Sequence, residues 1–244
     1  AVSEGGVDKT RQQALKYAAG VELVHTSALV ADDIIDRSDV RRGVPSVHES
    51  YGHSMAVLSS NKLLGKALEV IDDERAVSAM VDAVRNLGEG EAIELVNGVT
   101  TVDDYMDLAY RKTAALFVAS CEAGAIAGDA TDDEEAALKE YGEHLGIAFQ
   151  IRDDMLDYTS TQDDLGKPVG KDALLERPSL VVIHSRNEGV RLTDSVEFAR
   201  QRALSRIERA REALEPLTGD NRDEENDPVD DLRSITDFVV KRSK

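Results

Sequence analysis

With 244 residues, 41% of them hydrophobic, the chain is long and apolar enough to bury a sizeable core. Its 48 acidic residues against 29 basic ones give a net charge of −19, which argues against nucleic acid or an anionic membrane as the main partner. Any phosphate-bearing ligand must therefore be met locally, and the single cysteine, Cys121, excludes an intrachain disulfide and fits a reducing, cytoplasmic compartment.

Apolar residues recur at helical spacing through 11–36, 52–71, 76–98, 102–128, 132–158, 179–188 and 193–215, with a last helix near 228–241. Strand alternation is missing, so the expected fold class is all-α. No internal repeat or Gly/Ser linker divides the chain, and 1–244 reads as a single domain. Thr101 and Thr131, each followed by acidic residues, are expected N-caps; Gly128, Gly189 and Gly219 fit helix ends. The most apolar window, "TAALFVASCEAGAIAG", is broken by Glu122 and too short for a transmembrane segment, and no signal peptide is visible.

Two segments break the helical rhythm, "RSDVRRGVPSVHESYG" (37–52) and "YTSTQDDLGKPVGKDALLERPS" (158–179). Both carry Gly, Pro and basic residues, and both follow an aspartate cluster at the end of an apolar helix. "GDNRDEENDPVDD" (219–231) is polar enough for a solvated loop.

The first cluster is Asp32, Asp33 and Asp36. In a helix Asp32 and Asp36 share a face, with Asp33 about 100° around. Like charges beneath an apolar run are costly to desolvate, and a divalent cation removes the conflict. Hard oxygen donors without thiolates suit magnesium. The spacing returns as Asp153, Asp154 and Asp157, again closing an apolar helix. "DDYMD" (103–107) has it too, but opens a helix after a capping threonine and precedes no basic loop, so it reads as surface charge that favours the helix dipole.

Basic groups lie where a metal-bridged diphosphate would need them: Arg41 and Arg42 after the first cluster, Lys112 beside Thr113 in "YRKTAALF", and Lys167, Lys171 and Arg177 after the second. His25 and Gln150 lie two turns and one turn before their clusters, placed to serve a second anionic ligand. No Ser-His-Asp arrangement, Walker loop or dinucleotide fingerprint is present.

"HTSALVADDIIDRSDVRRGVPSVH", "YRKTAALF", "GIAFQIRDDMLDYT" and "LGKPVGKDALLERPSL", in that order, resemble the trans-isoprenyl diphosphate synthases, specifically the geranylgeranyl diphosphate synthase group, over nearly all of 15–244. The many acidic residues, with 19 Arg to 10 Lys, further resemble proteins of halophilic archaea.

The resemblance implies a helical bundle of the type I isoprenoid synthase kind around a deep central cavity, a homodimer, and a prenyltransferase that condenses isopentenyl diphosphate with dimethylallyl, geranyl or farnesyl diphosphate. It also implies three magnesium ions per active site, held by Asp32, Asp33, Asp36, Asp153, Asp154 and Asp157, with Arg41, Lys112, Thr113 and Lys167 on the allylic diphosphate. Arg42, His25, Gln150 and Arg177 match positions near isopentenyl diphosphate or the closing loop. Asp32, Asp33, Asp36, Asp153, Lys112 and Lys167 are the residues expected to carry catalysis.

The family's Gly-Lys-Arg segment on an earlier helix does not occur, so the N-terminal helix is expected to be missing; the usual Gly-Asp reads Ser60-Asn61, and the usual Gln is Glu91. A non-catalytic partner subunit would tend to lose cluster carboxylates, and all six stand here. A class I terpene cyclase would carry an Asn/Asp-Ser/Thr-Glu second motif. A di-iron bundle needs two Glu-x-x-His pairs, and only Glu22 to His25 fits.

Product length should depend on what lies beneath the first cluster. Helical geometry sets Ala28 one turn below Asp32, Ser27 beside it and Val24 about 12 Å down. None is aromatic, and by the resemblance a small pair leaves room for a C20 product, with C25 or longer open.

Overall fold

The structure is a computed structural model that describes residues 4–96, 98–159, 178–218 and 227–241. Helix α1 (Glu4–Ile35) is followed by a minimal hairpin, β1 (Val40–Arg41) and β2 (Val44–Pro45), with Val40 opposite Pro45 and Arg41 opposite Val44. Then come α2 (Val47–Tyr51), α3 (His53–Val70), α4 (Glu74–Leu95) and α5 (Val102–Ala109). A π-helical turn (Tyr110–Ala114) joins α5 to α6 (Ala115–Ala127), followed by α7 (Asp132–Thr159), α8 (Leu180–Glu188), α9 (Leu192–Ala213), a 3₁₀ turn (Glu215–Leu217) and α10 (Pro228–Lys241).

The fold is all-α, as the periodicity predicts, with two local differences. The expected loop 37–52 contains the hairpin and α2, elements too short for any periodicity to announce. The helix expected through 102–128 is interrupted by the π turn at "YRKTA". One extra residue per turn rotates the faces before and after it, a device common at functional sites.

The caps follow the sequence chemistry. Thr101 and Asp104 form a capping box at α5, and Thr131 and Glu134 exchange the same pair of bonds before α7. Gly189 ends α8 in the left-handed conformation at φ 65°, where a Cβ would be strained. Gly128 follows α6 and donates to the carbonyl of Gly124. Gly219 lies outside the described residues.

The chain divides into two compact units, one formed by the residues to Val84 with Glu122–Ala130, the other by Arg85–Cys121 with the residues from Thr131 onward. In the first, α1 packs along α3, and α2 against both. The buried stripe of α1 runs Tyr17, Gly20, Val24, Ser27, Val30, Asp33, a spacing of three and four. It begins on an apolar ring and ends on a carboxylate.

In the second unit α7 is the central element, lying against α9, α8, α10 and the π turn. Tyr105, Leu108, Ile147, Ile151, Met155, Leu180 and Val181 fill one core cluster; Tyr141, Leu145, Ile207, Leu214, Val229 and Val239 fill another. Gly146 lets the π turn come close, since a Cβ there would stand 2.5 Å from Ala114 Cα.

Candidate active site

The first aspartate cluster closes α1. Because the buried stripe passes through residue 33, Asp33 is directed inward and is only 3% exposed, while Asp32 and Asp36 are half-buried. A buried carboxylate requires a compensating charge. It receives one from Arg41, whose Nε and Nη2 both donate to Asp33 Oδ1, at 2.9 and 2.6 Å.

The hairpin delivers that arginine. Its turn is Arg42-Gly43, with φ of 52° and 80°, the positive pair that suits a two-residue hairpin. Glycine takes this conformation freely, whereas at Arg42 it costs about 1–2 kcal/mol. The strained Arg42 is exposed at the tip, beside a fixed Arg41. Above this loop, His25 and Ala28 are half-buried on α1, and Val24 and Ser27 are buried.

The second cluster lies near the end of α7. Asp153 is exposed; Asp154 and Asp157 are half-buried. Both oxygens of Asp154 are held by side chains: Gln150 Nε2 donates to Oδ1 at 2.7 Å, and Tyr105 Oη donates to Oδ2 at 2.5 Å. Gln150 Oε1 in turn accepts from the Thr113 hydroxyl. A chain of hydrogen bonds thus joins the π turn, α7 and α5 at this carboxylate.

Lys112, next to Thr113, extends to α4. Its ammonium lies 2.8 Å from Glu91 Oε1 and also bonds Glu94 Oε2. Burial alone would pull the lysine pKa down, but the charges of Glu94 and Glu91 outweigh it and hold the group above its ordinary range. The ammonium thus has two counter-ions.

The sequence profile of the polyprenyl synthetase family matches residues 2–215. The chain belongs to that family. It is 36% identical to a short chain isoprenyl diphosphate synthase of Methanothermobacter thermautotrophicus, over 92% of this chain and 78% of the relative. Among solved structures, geranylgeranyl pyrophosphate synthetase from Pyrococcus horikoshii superposes with a TM-score of 0.84 at 32% identity, covering 95% of this chain and 80% of the other. A polyprenyl synthase from Caulobacter crescentus, complexed with calcium and isoprenyl diphosphate, does so at 0.84 and 27%, covering 94% and 78%. The all-α type I isoprenoid fold of these neighbours is the fold class expected from the sequence.

Of the residues the sequence singles out, the fold brings Thr113, Gln150 and Asp154 into one network, and pairs Asp33 with Arg41. Lys167, Lys171 and Arg177 lie outside the described residues. Asp104 and Asp107 of the third cluster have local roles, a cap and a pair with Arg111, as expected. Tyr105, inside that same motif, is a site residue the sequence reading missed. It occupies an apolar position and is 1% exposed; the signal is that a buried tyrosine hydroxyl needs a partner. Glu94 was missed too, although it shares a helix face with Glu91.

Two of the residues that depart from the family pattern, Ser60 and Glu91, have structural partners. Ser27 Oγ donates to the Ser60 carbonyl at 2.9 Å and Ser60 Oγ to that of Ser27 at 3.1 Å, a reciprocal clasp between α1 and α3. Glu91 is a counter-ion of Lys112.

Proposed function

We infer that this chain is a trans-prenyltransferase that joins isopentenyl diphosphate to an allylic diphosphate, either dimethylallyl, geranyl or farnesyl, with loss of pyrophosphate. The observation that carries the reading is the pair of Asp-Asp-x-x-Asp helix ends, Asp32 to Asp36 and Asp153 to Asp157, in a chain of the polyprenyl synthetase family.

The donor set fits magnesium: carboxylates only, with no thiolate or imidazole among them. Asp32, Asp33, Asp36, Asp153, Asp154 and Asp157 hold the ions in this reading, with Asp33 oriented by Arg41 and Asp154 by Gln150 and Tyr105. When bound, the ions shield the diphosphate and draw off the charge that builds as it departs. We propose three per site.

Lys112, Thr113, Arg41 and Lys167 then act on the allylic diphosphate, where preorganised positive charge lowers the barrier most. Arg42, His25, Gln150 and Arg177 serve isopentenyl diphosphate and the closing segment. The allylic carbon–oxygen bond breaks, the double bond of isopentenyl diphosphate attacks the resulting cation, and a proton leaves to the departing pyrophosphate. No side-chain base of shifted pKa is required.

The small residues Ser27 and Ala28 along α1, with Val24 a turn further, support a C20 product. A homodimer working in the cytoplasm completes the proposal; no helix among the described residues is long and apolar enough to cross a membrane.

Labelled isopentenyl diphosphate, supplied with magnesium and each allylic co-substrate in high salt, tests it. Prenyl products should form, Asp32→Ala and Asp153→Ala should nearly abolish them in folded protein, and Asp103→Ala should leave them. No product with any co-substrate would favour the non-catalytic partner subunit, and equal losses in all three variants would refute the assignment of the clusters.

A further inference from the structure

The arrangement around Lys112 goes beyond diphosphate binding. Gly90 sets it up: a Cβ at that position would stand 2.9 Å from the backbone nitrogen of Lys112 and 3.1 Å from its Cα. Only glycine lets α4 approach the π turn so closely. The two residues that follow on the same helix face, Glu91 and Glu94, are thereby brought to one ammonium.

All three side chains are largely withdrawn from water, at 24% exposure for Lys112, 18% for Glu91 and 16% for Glu94. One carboxylate would suffice to neutralise a lysine. Two leave the trio with a net charge of −1, which is unfavourable to bury and serves no evident structural need. A lysine ammonium has three N–H donors. Two are directed to the glutamates, and the third has no partner among the described residues.

We propose that Glu91 and Glu94 are resident counter-anions of Lys112, positioning its ammonium while limiting how tightly it holds a diphosphate, so that inorganic pyrophosphate is released rapidly after each condensation. This rests on the reading that Lys112 binds the diphosphate group. An incoming diphosphate finds an ammonium already oriented and desolvated but shared with two carboxylates. The same sharing weakens the grip on the product, whose charge is higher than that of the esterified substrate.

The full chain, the charge-neutral variants Glu91→Gln and Glu94→Gln, and the conservative Glu91→Asp provide the test, with magnesium pyrophosphate as the probe. Calorimetry should show pyrophosphate binding about tenfold tighter in either Gln variant, the scale expected when one member of a close charge group is removed. Steady-state kinetics should show a lower KM for the allylic diphosphate together with a lower kcat, as release becomes limiting, and Glu91→Asp should return both towards wild type. In a Lys112→Gln background the same glutamate changes should no longer tighten binding, because the effect acts through the lysine.

Unchanged or weaker pyrophosphate binding in folded Gln variants would overturn the proposal. So would equal tightening without Lys112, which would make the effect a general field. Should Glu91→Gln fail to fold, Glu94→Gln decides. A wild-type protein that binds pyrophosphate but forms no prenyl product would sink the proposed function alone, leaving the calorimetry to judge the counter-anions; one that does neither would overturn both.

Discussion

Tyr105 Oη donates to Asp154 Oδ2 at 2.5 Å from a side chain only 1% exposed, so one carboxylate of the second cluster is fixed from beneath by a core residue. Tyr105→Phe keeps the ring and removes the donor. The expected result is a stability loss of about 1.5–3 kcal/mol, the usual range for a hydrogen bond to a charged group, with turnover needing more magnesium for half-maximal rate. Thermal unfolding and a magnesium titration of the rate check it, and an unchanged titration would mean that the orientation of Asp154 does not matter to the metal.

The Asp33–Arg41 pair should behave as one unit. Its side chains are 4% and 33% exposed, so Arg41→Ala strands a buried carboxylate at a cost of about 3–5 kcal/mol. Asp33→Asn added to Arg41→Ala should recover much of that loss, since no unpaired charge remains. Urea denaturation of the two single variants and the double completes the cycle, and simple additivity would show the pair to be uncoupled.

Product length should respond to α1, and Ala28 is the cleaner probe. Ser27 is buried and clasped to Ser60, so Ser27→Phe breaks two hydrogen bonds while overpacking the α1/α3 contact. Ala28 is half-buried and has no side-chain hydrogen bond to lose. Ala28→Phe should shorten the product with little loss of stability, as read by chromatography of the dephosphorylated prenols. Unchanged length would mean that the growing tail does not run along this face.

Burial pushes the Cys121 thiol up to about 12, so the folded protein holds it neutral. Alkylation at pH 8 should be slow in the native state and fast in denaturant. The sign for stability follows: the unfolded thiol ionises near 9 and the folded one does not, so this contribution is intact below pH 9 and lost as pH rises from there towards 12. Cys121→Ala should flatten that alkaline decline in melting temperature.

The sequence by itself determined the helices, their caps and the two clusters, because helical periodicity and cap chemistry are local properties that a few neighbouring residues specify. α10, expected near 228–241 and found at Pro228–Lys241, needed nothing more. It also marked "DDYMD" as a helix start, since a capping threonine is written in the chain, and Thr101 with Asp104 does cap α5. Tertiary structure decided which way each carboxylate faces. Asp32 and Asp33 are adjacent and chemically identical, yet only Asp33 continues the buried stripe of α1, and its partner Arg41 is reached through a hairpin too short to carry a pattern. Nor could spacing place Glu91 and Glu94 on Lys112, about twenty residues away, because that contact exists only where Gly90 allows two helical backbones to meet. Pairing across such distances depends on packing, and packing is a property of the whole fold.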